Sequence, residues 1–181
     1  MEYFYAENAP LPQYVFCDEI KSGNIMSELN ELIEYKIIGK ENIEILMESR
    51  LEMLRAVNKK PADYKFSDQL VQESRAYFEK GNYKEVIAFD GEKVIGCAGI
   101  CFLYVMPTFD HPSGKRAHLM NVYTHPDYRK KGIASKMVKL LIEEARNYGT
   151  SEISLDASDM GRPVYEKLGF KASCEAMTLP L

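Results

Sequence analysis

One stretch limits what this chain can fold into more than any other: RAHLMNVYT, HPDYRKKG and IASKMVKLLIEEARNYG, which follow one another directly. The first piece reads as a strand. The second is a loop with a proline, three consecutive basic residues and a glycine. In the third, Ile133, Met137, Leu141, Ala145 and Tyr148 recur at helical spacing until Gly149 closes the helix. A helix start of this kind has N–H groups without intrahelical partners, and the helix dipole places partial positive charge there. Arg129, Lys130 and Lys131 add cationic charge, while Gly132 and Ala134 leave room for close approach. The site suits a phosphate or pyrophosphate. A solvated basic helix start with a packing glycine is the plainer reading of the same residues. Neither GxxxxGK[ST] nor GxGxxG is present, which excludes a Walker loop and a dinucleotide-binding turn.

The flanking pattern gives the fold class. YKIIG is a short strand, and Ile43, Met47, Leu51 and Leu54 then mark a helix widened by Leu46, Met53 and Val57. A second helix runs from about Ser67 to Lys80 and stops at Gly81. YKEVIAFD and EKVIGCAGICFLYVM form a hairpin around Asp90-Gly91. After the helix ending at Gly149 come the strand ISLDA, a helix from Pro163 to Leu168, and FKASCEAMTL as a last strand. The order β-α-α-β-β-β-α-β-α-β is a mixed α/β or α+β domain over residues 35–181. Residues 1–34 read as an N-terminal extension with a helix from about Met26; an arm packed on the domain is the alternative for its first 25 residues.

Composition narrows the function. The 181 residues carry 23 Lys and Arg against 27 Asp and Glu, a net charge of −4 that argues against nucleic-acid binding. No apolar run approaches the roughly 20 residues that span a bilayer. The start MEYFYAENAP lacks the basic and apolar regions of a signal peptide, so the expected location is the cytoplasm. Cys17, Cys97, Cys101 and Cys174 form no CxxC pair and read as reduced and inert. His111, His118 and His125 recur every seven residues but span a strand and two loops, so no metal site is expected.

Arg129-Lys130-Lys131-Gly132-Ile133-Ala134 after a strand, with Tyr165-Glu166-Lys167-Leu168-Gly169-Phe170 downstream, resembles the GNAT superfamily of acetyl-CoA-dependent N-acetyltransferases. The element order from Tyr35 to Leu181 matches that fold: a mixed, mostly antiparallel sheet with two central strands splayed apart and helices on its faces. The resemblance implies that the backbone of Val122, Tyr123 and Thr124 pairs with the pantetheine arm of CoA, a β-augmentation by a ligand. It implies that the N–H groups from Lys130 through Gly132, Ile133 and Ala134 to Ser135 hold the pyrophosphate. No metal and no covalent enzyme intermediate are implied.

The reaction implied is direct attack of a primary amine, on a small molecule or peptide, at the thioester carbonyl. A backbone N–H, best matched by Val122, would face the oxyanion. Tyr165 would protonate the leaving thiolate, although a core Tyr with its hydroxyl at the surface explains the same position. Where many members carry Glu, this chain has Asn121, which leaves His118 as the candidate base; a strand His satisfied by neighbours is the alternative. Ser158 stands where the family often places an Asn that contacts CoA, and Gly161 where it places Ala. The acceptor would enter near residues 58–66 and 106–115. A non-catalytic CoA-binding module and transfer of a longer acyl group are the competing readings. Sheet-edge pairing permits a homodimer without selecting it.

Overall fold

A computed structural model of the chain describes residues 33–173 and 177–180. The expected helix from Met26 and the first 25 residues lie outside them, as do Cys17 and Cys174. Five strands form one sheet in the order β1 to β5: β1 (Ile33–Ile38), β2 (Tyr83–Asp90), β3 (Lys93–Tyr104), β4 (Lys115–Thr124) and β5 (Ile153–Leu155). The first four pair antiparallel and β5 joins β4 in parallel. Helices α1 (Ile43–Val57) and α2 (Asp68–Lys80) cover one face, α3 (Ile133–Tyr148) the other, and α4 (Arg162–Lys167) follows β5. The class is α/β.

The middle strands are buried on both faces, which is why YKEVIAFD and VIGCAGIC read as near-continuous apolar runs rather than alternating ones. Val86, Ala88, Ala98 and Ile100 face α3, where they meet Ile133, Met137, Val138, Leu141 and Ala145. Tyr83, Ile87 and Cys97 face α1 and α2, against Leu46, Met47, Met53 and Phe78. Ser67 caps α2 by accepting from the Leu70 N–H, and Gly81 ends it in the left-handed region.

Three expectations change. Ile33 and Glu34, read as the end of the extension, belong to β1 and pair with Asp90 and Phe89, because Ile33 joins the core. FKASCEAMTL is not a strand in its described part: residues 171–173 and 177–180 have no regular structure. Its period of two comes from small residues, and Phe170 packs edge-on against Tyr165. Tyr148, assigned to the buried stripe of α3, is half-exposed and stacks flat on Phe102 with ring centroids 4.2 Å apart. No helix among the described residues is long and apolar enough to cross a membrane.

Leu141 is fully buried at the centre of the α3 face, whereas Val57 is 63% exposed. Leu141→Ala should therefore cost about 2–5 kcal/mol of unfolding free energy. Val57→Ala should stay within about 0.5 kcal/mol. Urea denaturation of the two variants checks the contrast.

Candidate active site

The sheet opens at one place. β5 pairs with β4 only through Ala117–Ile153, His118–Ser154 and Leu119–Leu155. Beyond Leu119, the residues from Met120 to Thr124 have no partner strand on that side among the described residues. The divergence starts at a bulge: the β3–β4 register shifts between Cys97 and Gly99, and Asn121 opposite the shift adopts φ +58°. A bulge bends its strand and increases local twist, which carries the end of β4 away from β5. Asn is one of the few side chains that tolerates this left-handed conformation, which accounts for Asn121 where the sequence comparison looked for Glu.

The open edge leads to the basic loop. The His125 N–H donates to the Ile95 carbonyl, a single 3-10 turn covers Pro126–Tyr128, and α3 begins after Gly132. Lys130 and Gly132 have φ of +63° and +82°, a nest-like alternation in the backbone. Gly132, at the N-cap, makes no side-chain cap, so the first N–H groups of α3 remain available to a ligand. Open space lies where its Cβ would stand, and the positive φ is what the chain itself requires of a glycine. Ile133 is anchored in the core by its side chain and offers only its backbone N–H; Ala134 and Ser135 are half-buried beside it.

The three cations act differently. Arg129 Nε donates to the Thr124 carbonyl at 3.0 Å and so braces the end of β4. Lys131 leans over the Tyr128 ring, 4.9 Å from its centroid. Lys130 is exposed. Thr124 also carries a buried hydroxyl that lacks a partner among the described residues. The donors and charges present fit a diphosphate, and the unpaired edge from Val122 through Tyr123 to Thr124 fits an extended chain beside it.

α4 packs on the α3 side of the core through Tyr165 and Leu168. Tyr165 is half-buried, and its hydroxyl makes no hydrogen bond among the described residues. Burial raises its pKa, so it remains a protonated donor at neutral pH. A Cβ on Gly161 would lie 3.1 Å from the Tyr165 ring and 3.3 Å from Ser158 Oγ, so this small residue lets the two approach. Ser158 Oγ accepts from the Gly161 N–H at 3.2 Å and keeps its own proton to donate.

His118 lies in the closed part of the β4–β5 pair. Its Nδ1 is 2.9 Å from Ser154 Oγ and its Nε2 is 3.8 Å from Asp156. His111 pairs with Glu152 and Ser151, and His125 caps its own 3-10 turn, so the three histidines do not converge. No group of three or more metal-ligating side chains occurs among the described residues.

A cavity of about 260 Å³ opens between α1, α2 and the bulge. None of its walls comes from residues 58–66 or 106–115, the expected acceptor loops; Phe109 there is fully exposed. The floor holds Glu85, a carboxyl overlooked in the sequence reading. Glu85 is 2% exposed, accepts from the Asn121 side-chain amide, and lies over Gly99, where any Cβ would collide with it. Arg50 Nη1 donates to Asn121 Oδ1 at 3.2 Å, and the Cys97 thiol donates to the Asn121 carbonyl. Burial pushes Glu85 up to about 8 against the opposing pull of the Asn121 amide and Arg50. The signal was legible: strand alternation places Glu85 on the inward face with Tyr83 and Ile87. Burial also raises Cys97 well above the ordinary thiol range, so it stays protonated.

The open strand edge of β4 runs directly into the basic loop and the uncapped start of α3. Residues 49–170 match the model of the Acetyltransferase (GNAT) family, and the chain belongs to that family. It is 33% identical over 89 residues to glucosamine 6-phosphate N-acetyltransferase of Trypanosoma brucei brucei, covering 49% of this chain and 58% of that protein. It is 30% identical over 95 residues to thialysine N-epsilon-acetyltransferase of Bos taurus, covering 51% and 55%. The chain thus spans little more than half the length of these relatives. Among solved structures, the predicted acetyltransferase with acetyl-CoA from Clostridium acetobutylicum superposes with a TM-score of 0.72 at 29% identity, over 82% of this chain and 96% of that one.

The Glu85 carboxyl has a stability consequence. Its folded pKa of about 8 lies above the ordinary value of 4.5, so the native state retains a proton that the unfolded chain has released between those limits. Stability therefore falls as pH rises through that window. Glu85→Gln should raise Tm at pH 8 by at least about 3 °C more than at pH 4.5, given a few degrees per kcal/mol. Thermal scans at the two pH values test it.

Proposed function

We propose that this protein transfers an acetyl group from acetyl-CoA to a primary amine of a small molecule or peptide, by direct attack and without a covalent enzyme intermediate. The observation that carries the reading is the unpaired β4 edge running into the uncapped, cation-flanked start of α3. Membership of the family and the structural likeness to an acetyltransferase with acetyl-CoA support it.

Acetyl-CoA supplies a thioester carbonyl open to attack by an amine. In this reading the backbone of Val122, Tyr123 and Thr124 binds the extended arm, and the N–H groups of residues 130–135 hold the diphosphate. Lys130 and Lys131 neutralise its charge, with Arg129 bracing the loop. The Val122 N–H faces the oxyanion, where a preorganised donor acts most strongly. Tyr165 gives a proton to the thiolate, and Ser158 donates to the bound arm. His118 is the proton acceptor that the sequence offers; tied to Ser154 and Asp156, it would reach the amine through water. The absence of a free thiolate at Cys97 supports the direct route.

Calorimetry with acetyl-CoA should show one-site binding, and an amine panel followed by thiol release should show turnover. Tyr165→Phe should lower kcat by about 10²-fold with the acetyl-CoA Kd within twofold. Binding without turnover of any amine, unaffected by Tyr165→Phe, would make the protein a CoA-binding module instead.

A further inference from the structure

The cavity at the bulge has more to say about the acceptor, on the condition that the acetyl-CoA reading holds. Its walls are mostly apolar: Leu70, Tyr77 and Phe78 from α2, and Met120 from β4. The charged residues lining it are Glu73 and Glu85 against a single Arg50, whose Nη1 is engaged by Asn121. A phosphorylated sugar would need cations that this cavity does not supply. At about 260 Å³ it lies just below the roughly 300–1,000 Å³ usual for small-molecule sites, which suits a compact acceptor.

We infer that this cavity is the acceptor site and that Glu85, carried on β2 beneath the bulge, takes the proton from a primary amine on a compact apolar body. Three features of the chain hold that carboxylate in place. Asn121 donates its amide to one oxygen, Gly99 leaves room for the other, and Arg50 orients Asn121 from α1. The base thus stands on a different strand from the one that the family resemblance points to, while it still touches the bulge through Asn121.

The proton balance closes. The amine arrives as R–NH3+, and Glu85 as carboxylate removes one proton. The C–N bond forms as the thioester C–S bond breaks. The second amine proton makes up the one that Tyr165 gives to the thiolate, and Glu85 returns its proton to water. The groups around Glu85 are Arg50 on α1, Glu73 and Tyr77 on α2, Tyr83 on β2, and Cys97 on β3. The Asn121 amide and Arg50 favour the charged form, and burial opposes it. The carboxylate fraction of the free enzyme therefore grows as pH rises through about 8.

The test uses the full chain with acetyl-CoA and three probes: n-pentylamine, benzylamine and glucosamine 6-phosphate. Wild type should acetylate the first two, with a limb of kcat/KM rising near pH 8 beside the amine's own titration. Glu85→Gln removes a buried ionisable group at constant shape; it should lower kcat/KM at least about 100-fold, chiefly in kcat, and abolish that limb. Its acetyl-CoA Kd should stay within twofold, which also reports that it is folded. The inference is overturned if Glu85→Gln keeps the rate and the limb while His118→Ala loses them. It is equally overturned if acetyl-CoA binds but only glucosamine 6-phosphate is turned over. Failure of wild type to bind acetyl-CoA would instead remove the underlying acetyl-transfer reading and this one with it.

Discussion

The left-handed backbone of Asn121 is the constraint on which the rest of the site depends. β4 must pair with β3 along its whole length and with β5 only at its start, and the bulge reconciles the two demands. A non-glycine residue at φ +58° costs about 1–3 kcal/mol and persists only where its surroundings hold it. Here the Cys97 thiol takes its carbonyl, Arg50 its side-chain oxygen and Glu85 its amide nitrogen. Three elements thus fix one residue. The same contacts bring a buried carboxyl up to the cavity between α1, α2 and the sheet.

The second half of the site follows from the chain leaving β4. Arg129 ties back to Thr124, so the open edge and the basic loop keep one geometry relative to each other. Gly132 then turns the chain into α3, and Ile133 fixes that helix in the core. Anion binding at such a start relies on backbone N–H groups, whose positions the buried face of α3 determines. The packing of one helix face thus positions the proposed diphosphate subsite.

Much of this was legible in the residues. The apolar period of α3, the Gly149 stop, the YKEVIAFD hairpin and the strand-to-helix loop all depend on local sequence, and they fall within a residue or two of where they were read. Three things were not legible. The β1 start at Ile33 depends on pairing with Asp90, a contact far along the chain. The tail alternates like a strand in small residues, and its described part forms none. The cavity at the bulge lies between helices whose mutual placement no local pattern encodes. Asn121 looked like a lost carboxylate; its conformation shows why Asn is there, and Glu85 was visible only as one acid in an apolar run.

Amide hydrogen exchange with and without acetyl-CoA addresses the central claim most directly. Exchange at Val122–Thr124 and at the first amides of α3 should slow on ligand addition, since the open strand edge and the helix start gain partners there. Protection confined to other elements, with these amides unchanged, would contradict the account.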